Sequence, residues 1–205
     1  MTEVEKQNYA RQQADMWAGT FGDDYTVRND VDYGPRDKFW SRLIVEYKIG
    51  SVLEVGCNTG MNLAIIDKYV PEHEVWGCDI NNTALRMAKI RNRNANIVYG
   101  SGFELPFRDA FFDLAFTSGV LIHCSPDMSF HMMKELVRVS KKYVMAIEYP
   151  AMDFEEIEYR GHAGALFKGP YGENYQQAFG LTLVDHGDLG KEDGFDRVRW
   201  WLLRR

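Results

Sequence analysis

Seven consecutive residues, Glu54-Val55-Gly56-Cys57-Asn58-Thr59-Gly60, could bring a polypeptide backbone against a bound ligand. Gly56 and Gly60 lack a Cβ, so a turn built on them can approach another molecule closely. Asn58 between them tolerates left-handed backbone angles better than most residues, and Cys57 adds only a small side chain. Asp79 follows Gly60 by 19 residues, with Ile80 beside it. An acid at about that distance, at the carboxyl end of a strand, accepts hydrogen bonds from the two hydroxyls of a ribose. Turn and acid together describe a site for an adenosine-type ligand. Farther along, His123 is the side chain whose ordinary pKa suits a general base near neutral pH. Its alternatives are Glu148, Tyr159 and His162.

These residues need strands and helices to hold them. Ser51–Val55 is short, apolar and followed at once by glycine, the pattern of a buried strand. Leu63, Ile66 and Val70 recur at three- and four-residue spacing, which predicts a helix over 59–69 stopped by Pro71. Val75–Asp79 reads as a second strand, and Asn81 or Asn82 caps the helix after it. Ile97–Tyr99 and Phe112–Thr117 give the third and fourth strands. Pro126 starts a helix running to about Val139, and Tyr143–Ile147 is a fully apolar fifth strand. Such alternation predicts an α/β fold with a mostly parallel, doubly wound sheet covered on both faces. Leu181–Val184 and Val198–Leu203, joined by a polar glycine-rich stretch, predict a C-terminal antiparallel hairpin. No linker divides the chain, so residues 1–205 read as a single domain, with residues 1–48 as a helical cap over the cofactor site.

A nicotinamide dinucleotide is a poor fit. The G-x-G-x-x-G turn that cradles its pyrophosphate would need glycine at Asn58 and Met61. The segment from Glu54 to Gly60 instead resembles the cofactor signature of class I methyltransferases, E/D-x-G-x-G-x-G, with Asn58 in place of the middle glycine. The stretch Tyr99-Gly-Ser-Gly-Phe103, followed by Leu105-Pro-Phe107 and Phe112-Asp113, is similar to a second stretch of that family. There Ser101 stands where an acid usually meets the adenine amine, Gly102 adjoins it, and Phe103 covers the ring. Thr117-Ser-Gly-Val-Leu-Ile-His123 follows the fourth strand, where Thr117, Ser118 and Gly119 would lie near the methionine portion of the cofactor.

More narrowly, the chain resembles the methylases associated with pseudaminic acid biosynthesis. Trp17–Asn29 (WAGTFGDDYTVRN), Gly56–Leu63 (GCNTGMNL), Gly119–Pro126 (GVLIHCSP), Tyr159–Ala163 and the terminal WWLL carry the resemblance across most of the chain. It implies a Rossmann-like fold, S-adenosylmethionine as cofactor, and a sugar or surface-glycan precursor as acceptor. Another small metabolite, a protein or an RNA are the alternatives, as is a cofactor-binding protein without turnover. Within this frame Arg28 can hold the cofactor carboxylate with a bidentate fork, assisted by Tyr25 and Asn29.

Composition narrows the rest. The net charge of −6 argues against general binding to a phosphate backbone, and the run Arg86–Arg93 reads as a solvated helix face. No apolar stretch approaches the roughly 18 residues of a membrane span. Cys57, Cys78 and Cys124 are odd in number and lack metal-ligand spacing, so a reduced cytoplasmic compartment is expected. Asp153, Glu155, Glu156 and Glu158 read as a solvated loop face rather than a metal cluster.

Overall fold

The computed structural model describes residues 2–28 and 33–205, and the chain packs into two compact units, one ending at Leu105 and one spanning Pro106–Arg205. Asn29 lies outside the described residues, as do the side chains of His162 and Ala163.

The first unit opens with two helices, α1 (Glu3–Ala18) and α2 (Thr20–Arg28). A capping box starts α1: Thr2 Oγ1 accepts from the Glu5 amide at 3.3 Å, and the Glu5 carboxylate accepts from the Thr2 amide at 2.7 Å. The bend between the helices is tight because Gly22 allows it. A Cβ there would fall 1.8 Å from the Trp17 carbonyl oxygen. Trp17 then meets Phe21 and Tyr25 edge-on, at centroid distances of 5.2 and 5.3 Å. After a 3-10 turn at Gly34–Arg36, α3 (Asp37–Glu46) buries Phe39, Trp40, Leu43 and Ile44, one stripe at helical spacing.

Next come β1 (Val52–Val55), α4 (Met61–Ile66), β2 (Val75–Asp79), α5 (Asn82–Arg91) and β3 (Asn96–Tyr99). The strands lie parallel in the order β3-β2-β1, with Val55 opposite Cys78 and Asp79 opposite Tyr99. Helix α4 is shorter than the 59–69 span read from the sequence, because Gly60 in left-handed conformation delays its start and the chain breaks into turns after Ile66. Leu53, Leu63 and Ile66 are fully enclosed, and burial of each such side chain contributes roughly 2 kcal/mol.

The second unit contains β4 (Phe112–Ser118), a 3-10 turn at Leu121–His123, α6 (Pro126–Val139) and β5 (Ser140–Glu148). Proline occupies the first turn of α6, where its missing N–H costs nothing. After the hairpin of β6 (Glu155–Tyr159) and β7 (His162–Lys168) come α7 (Tyr171–Phe179), β8 (Thr182–Leu189) and β9 (Val198–Arg204). Strands β4 and β5 are parallel, while β9 runs antiparallel to both β5 and β8. The expected C-terminal hairpin is therefore present.

Two elements differ from the sequence reading. The acids Glu155, Glu156 and Glu158 sit on strand β6, not in a loop, although their side chains are exposed as expected. Helix α7 was not anticipated. Its buried positions include two tyrosines and a glycine, Tyr171, Gly172 and Tyr175, and a Cβ on Gly172 would come 2.1 Å from the Trp201 ring.

Candidate functional site

The glycine turn is clamped to β2 by its own backbone. Both the Gly56 and Cys57 amides donate to the Cys78 carbonyl, at 2.8 and 3.1 Å. Gly56, Asn58 and Gly60 take φ of 72°, 47° and 71°, so Asn58 adopts the left-handed angle that its residue type tolerates. Gly60 is further enforced by space, since a Cβ would meet Asn92 Nδ2 at 2.3 Å. That amide nitrogen donates to the Gly60 carbonyl at 3.1 Å, and Arg91 donates to the Thr59 carbonyl at 2.9 Å.

Asp79 closes the turn from the other side. Its Oδ2 accepts from the Asn58 amide and its Oδ1 from the Asn81 amide, each at 2.8 Å. Burial pushes this carboxyl up, while the amides of Asn81, Asn58 and Ile80 pull it back. The cap of α5 is a separate residue: Asn81 Oδ1 accepts from the Ala84 amide at 2.8 Å. Each oxygen of a carboxylate has two acceptor sites, so Asp79 keeps capacity for further donors.

Behind the turn lies a chain of polar groups that the sequence reading did not assemble. Glu54 is buried, and its Oε1 accepts from Asn62 Nδ2 at 2.6 Å. Asn62 Oδ1 in turn accepts from Arg36 at 2.8 Å and from the Trp40 indole at 3.2 Å. Burial pushes the Glu54 carboxyl up to about 8; the Asn62 bond and the Arg36 charge oppose that rise, and Asp79 adds to it. Glu54 Oε2 and Asn58 Oδ1 are both buried without a hydrogen-bond partner among the described residues. Near neutral pH the Glu54 carboxyl therefore holds a proton, and a cation placed against it would favour the charged form. Asn62 sits within the GCNTGMNL stretch and was available as a motif member. Arg36 carries no spacing signal, because it reaches the site through the folding of the N-terminal segment.

The N-terminal motif docks beside this turn. Asn81 Nδ2 donates to the Trp17 carbonyl and to Asp23, both at 3.0 Å. Tyr25 is half-buried and lies close enough to Arg36 to affect its charge. Arg28 is exposed in the last turn of α2. Ser101 Oγ accepts from the Phe103 amide at 3.2 Å, so its hydroxyl shapes its own turn, with Gly102 half-buried between them.

In the second unit, Thr117 and Ser118 end β4, and Gly119 turns the chain with φ 68° while its amide donates to the Ile147 carbonyl at 2.9 Å. His123 is buried, and its Nδ1 lies 2.8 Å from the Ala165 carbonyl on β7, a contact that requires the proton on Nδ1. Tyr159 of β6 stacks at a tilt against the ring, with centroids 5.5 Å apart. Burial holds the imidazole down at about 4, against the opposing effect of the Ala165 bond, so the ring is neutral at physiological pH. This geometry is that of a brace between turn and hairpin. His123→Asn is therefore expected to cost roughly 1–3 kcal/mol in urea unfolding, the usual worth of a buried hydrogen bond left unmade. An unchanged unfolding midpoint would remove the brace.

Among the described residues no group of His, Cys, Asp and Glu could hold a metal ion, and no helix is long and apolar enough to cross a membrane.

Comparison with known proteins follows the same lines. Residues 53–146 match the family described as "Methyltransferase domain". A malonyl-[acyl-carrier protein] O-methyltransferase of Herminiimonas arsenicoxydans is 36% identical over 90 residues, 44% of this chain and 33% of that protein. A demethylmenaquinone methyltransferase of Bacillus cytotoxicus is 33% identical over 129 residues, 58% of this chain and 54% of that protein. The chain thus spans a third to about half the length of these curated relatives. Among solved structures, a Burkholderia thailandensis 1,6-didemethyltoxoflavin-N1-methyltransferase superposes with a TM-score of 0.74 at 15% identity, covering 98% of this chain and 90% of that one. The likeness shows the fold: α/β, Rossmann-like, of the class I methyltransferase type.

Proposed function

We propose that this chain is an S-adenosylmethionine-dependent methyltransferase whose first unit binds the cofactor on the turn Glu54–Gly60. The observation that carries the reading is the pair of carboxyls at this turn, Asp79 and the buried Glu54, whose Oε2 has no hydrogen-bond partner among the described residues. S-adenosylmethionine offers the matching donors: an ammonium group and a ribose diol. Glu54, held in place by Asn62, gives up its proton to solvent and receives the ammonium, whose charge favours the carboxylate, and Asp79 receives the two hydroxyls while keeping its grip on the turn. Arg36, already at the site through Asn62, takes over from Arg28 the holding of the carboxylate, with Tyr25 next to it. The backbone of Gly56, Cys57 and Asn58 lies along the ligand, and Ile80, Ser101, Gly102 and Phe103 border the adenine.

When bound, the cofactor supplies a sulfonium methyl that is already activated. The protein's remaining work is then to orient the acceptor and to exclude water. His123, neutral and engaged with Ala165, serves in this scheme as a brace rather than a base.

The acceptor we propose is a small molecule carrying a sugar hydroxyl, on the strength of the N-terminal stretch Trp17–Asn29. A second reading, a carrier-bound or quinone-like metabolite, is favoured by the names of the curated relatives. Calorimetry with S-adenosylhomocysteine is expected to show micromolar binding, roughly −8 kcal/mol. Absence of heat with that ligand and with S-adenosylmethionine would overturn the assignment. Mass spectrometry after incubation with a panel of nucleotide sugars and small metabolites then separates the two acceptor readings. Binding without any product would leave a cofactor-binding protein.

A further inference from the structure

Glu148, the last residue of β5, is fully buried in the second unit and has no part in the scheme above. Its carboxylate faces the start of the turn after β4. Oε1 accepts from the Val120 and Leu121 amides at 3.3 and 3.2 Å, and Oε2 from the Ile122 amide at 3.4 Å. Three successive backbone N–H groups converging on one carboxylate form a nest for an anion, here filled by a side chain of the same chain.

We propose that Glu148 is a positioning residue whose carboxylate fixes the Val120–Ile122 turn, and through it the placement of His123. The hold itself is independent of the methyltransferase reading; only its importance for turnover rests on that reading. Loss of the negative charge weakens all three bonds together, because a charged acceptor binds an N–H more strongly than a neutral one. Burial raises the Glu148 carboxyl to about 7, so the hold loosens on mild acidification.

The thiol, phenols and imidazole around it stay neutral over that range, and the nearby Arg199 stays charged. Burial pushes up the Cys124 thiol of the turn and the Tyr171 and Tyr175 phenols of α7. His123 is held low. Arg199, opposite Glu148 on β9, is engaged by Asp188 of β8 at 2.7 Å.

Amide hydrogen exchange on the full chain tests the proposal, with protection factors read at residues 120–122. In the wild type, protection at these amides is expected to fall about tenfold from roughly pH 8 to pH 6, while the amides of β4 and β5 hold steady. Glu148→Gln is expected to show the lower value at both pH values, with a flat profile. Equal protection in variant and wild type at the higher pH would overturn the proposal. So would a flat wild-type profile, which decides the matter even if the variant does not fold. S-adenosylhomocysteine calorimetry on the same wild-type sample reports separately on the function: no binding there would sink the cofactor assignment and leave the exchange result standing.

Discussion

Asp79→Ala is expected to weaken S-adenosylhomocysteine binding by on the order of 3 kcal/mol, about 150-fold, measured by calorimetry. Two losses combine. The ribose hydroxyls lose a charged acceptor, usually worth roughly 1.5–3 kcal/mol. The Asn58 and Asn81 amides, each 2.8 Å from the carboxylate, also lose the group that fixes the turn and the start of α5. Asp79→Asn separates the two effects. Its one remaining carbonyl oxygen can keep one backbone bond but offers no charge, so an intermediate loss is expected. Unchanged affinity in both variants would confine Asp79 to a structural role in joining β1 and β2.

Asn62→Leu is expected to destabilise the protein by roughly 1–3 kcal/mol in denaturant unfolding, the range for leaving a buried polar group without its hydrogen bond. Leucine fills a similar volume but deprives Glu54 Oε1, the Arg36 guanidinium and the Trp40 indole of their shared partner. Because Glu54 already lacks a partner for Oε2, the variant leaves this buried carboxyl with no hydrogen bond from Asn62 at either oxygen. The effect has a pH signature. The Glu54 carboxyl rises from its ordinary 4.5 to about 8 on folding, so the folded state holds the extra proton between those values. The stability linked to it is complete below pH 4.5 and is lost as pH rises through about 8. Glu148 acts in the same sense up to about 7. His123 opposes them only in acid, since its folded value of about 4 makes stability fall as pH drops below 6.5. Wild-type stability should therefore fall by on the order of 2 kcal/mol from about pH 6.5 to about pH 8.5. The Asn62→Leu penalty should grow over the same interval, because the missing bond favoured the charged form. A penalty below about 1 kcal/mol at every pH would show that the chain from Arg36 to Glu54 carries little stability.

Much of this was legible in the residues themselves. Strands β1 to β5 follow short apolar runs whose period and glycine boundaries do not depend on distant contacts. Helix α6 begins at Pro126, the Asn81 cap accepts from Ala84, and Asn58 takes a left-handed angle, all from local backbone preference. The sequence also marked Gly56 and Gly60 as a tight turn and Asp79 as the acid 19 residues beyond it, because left-handed backbone angles and strand ends leave their signature in spacing. Other features needed the third dimension. Arg36 reaches Asn62 from 26 residues away, and Asn81 meets Asp23 across 58; neither pair has a period or spacing to reveal it. Strand β6 was hidden because its exposed acidic face lacks the apolar alternation of a half-buried strand. Whether His123 would serve as base or brace was equally open, since an imidazole carries both capacities. The Ala165 carbonyl, 42 residues away and 2.8 Å from Nδ1, adds a bracing contact that no spacing reveals: burial removes the charged form, and the carbonyl orients the Nδ1 proton.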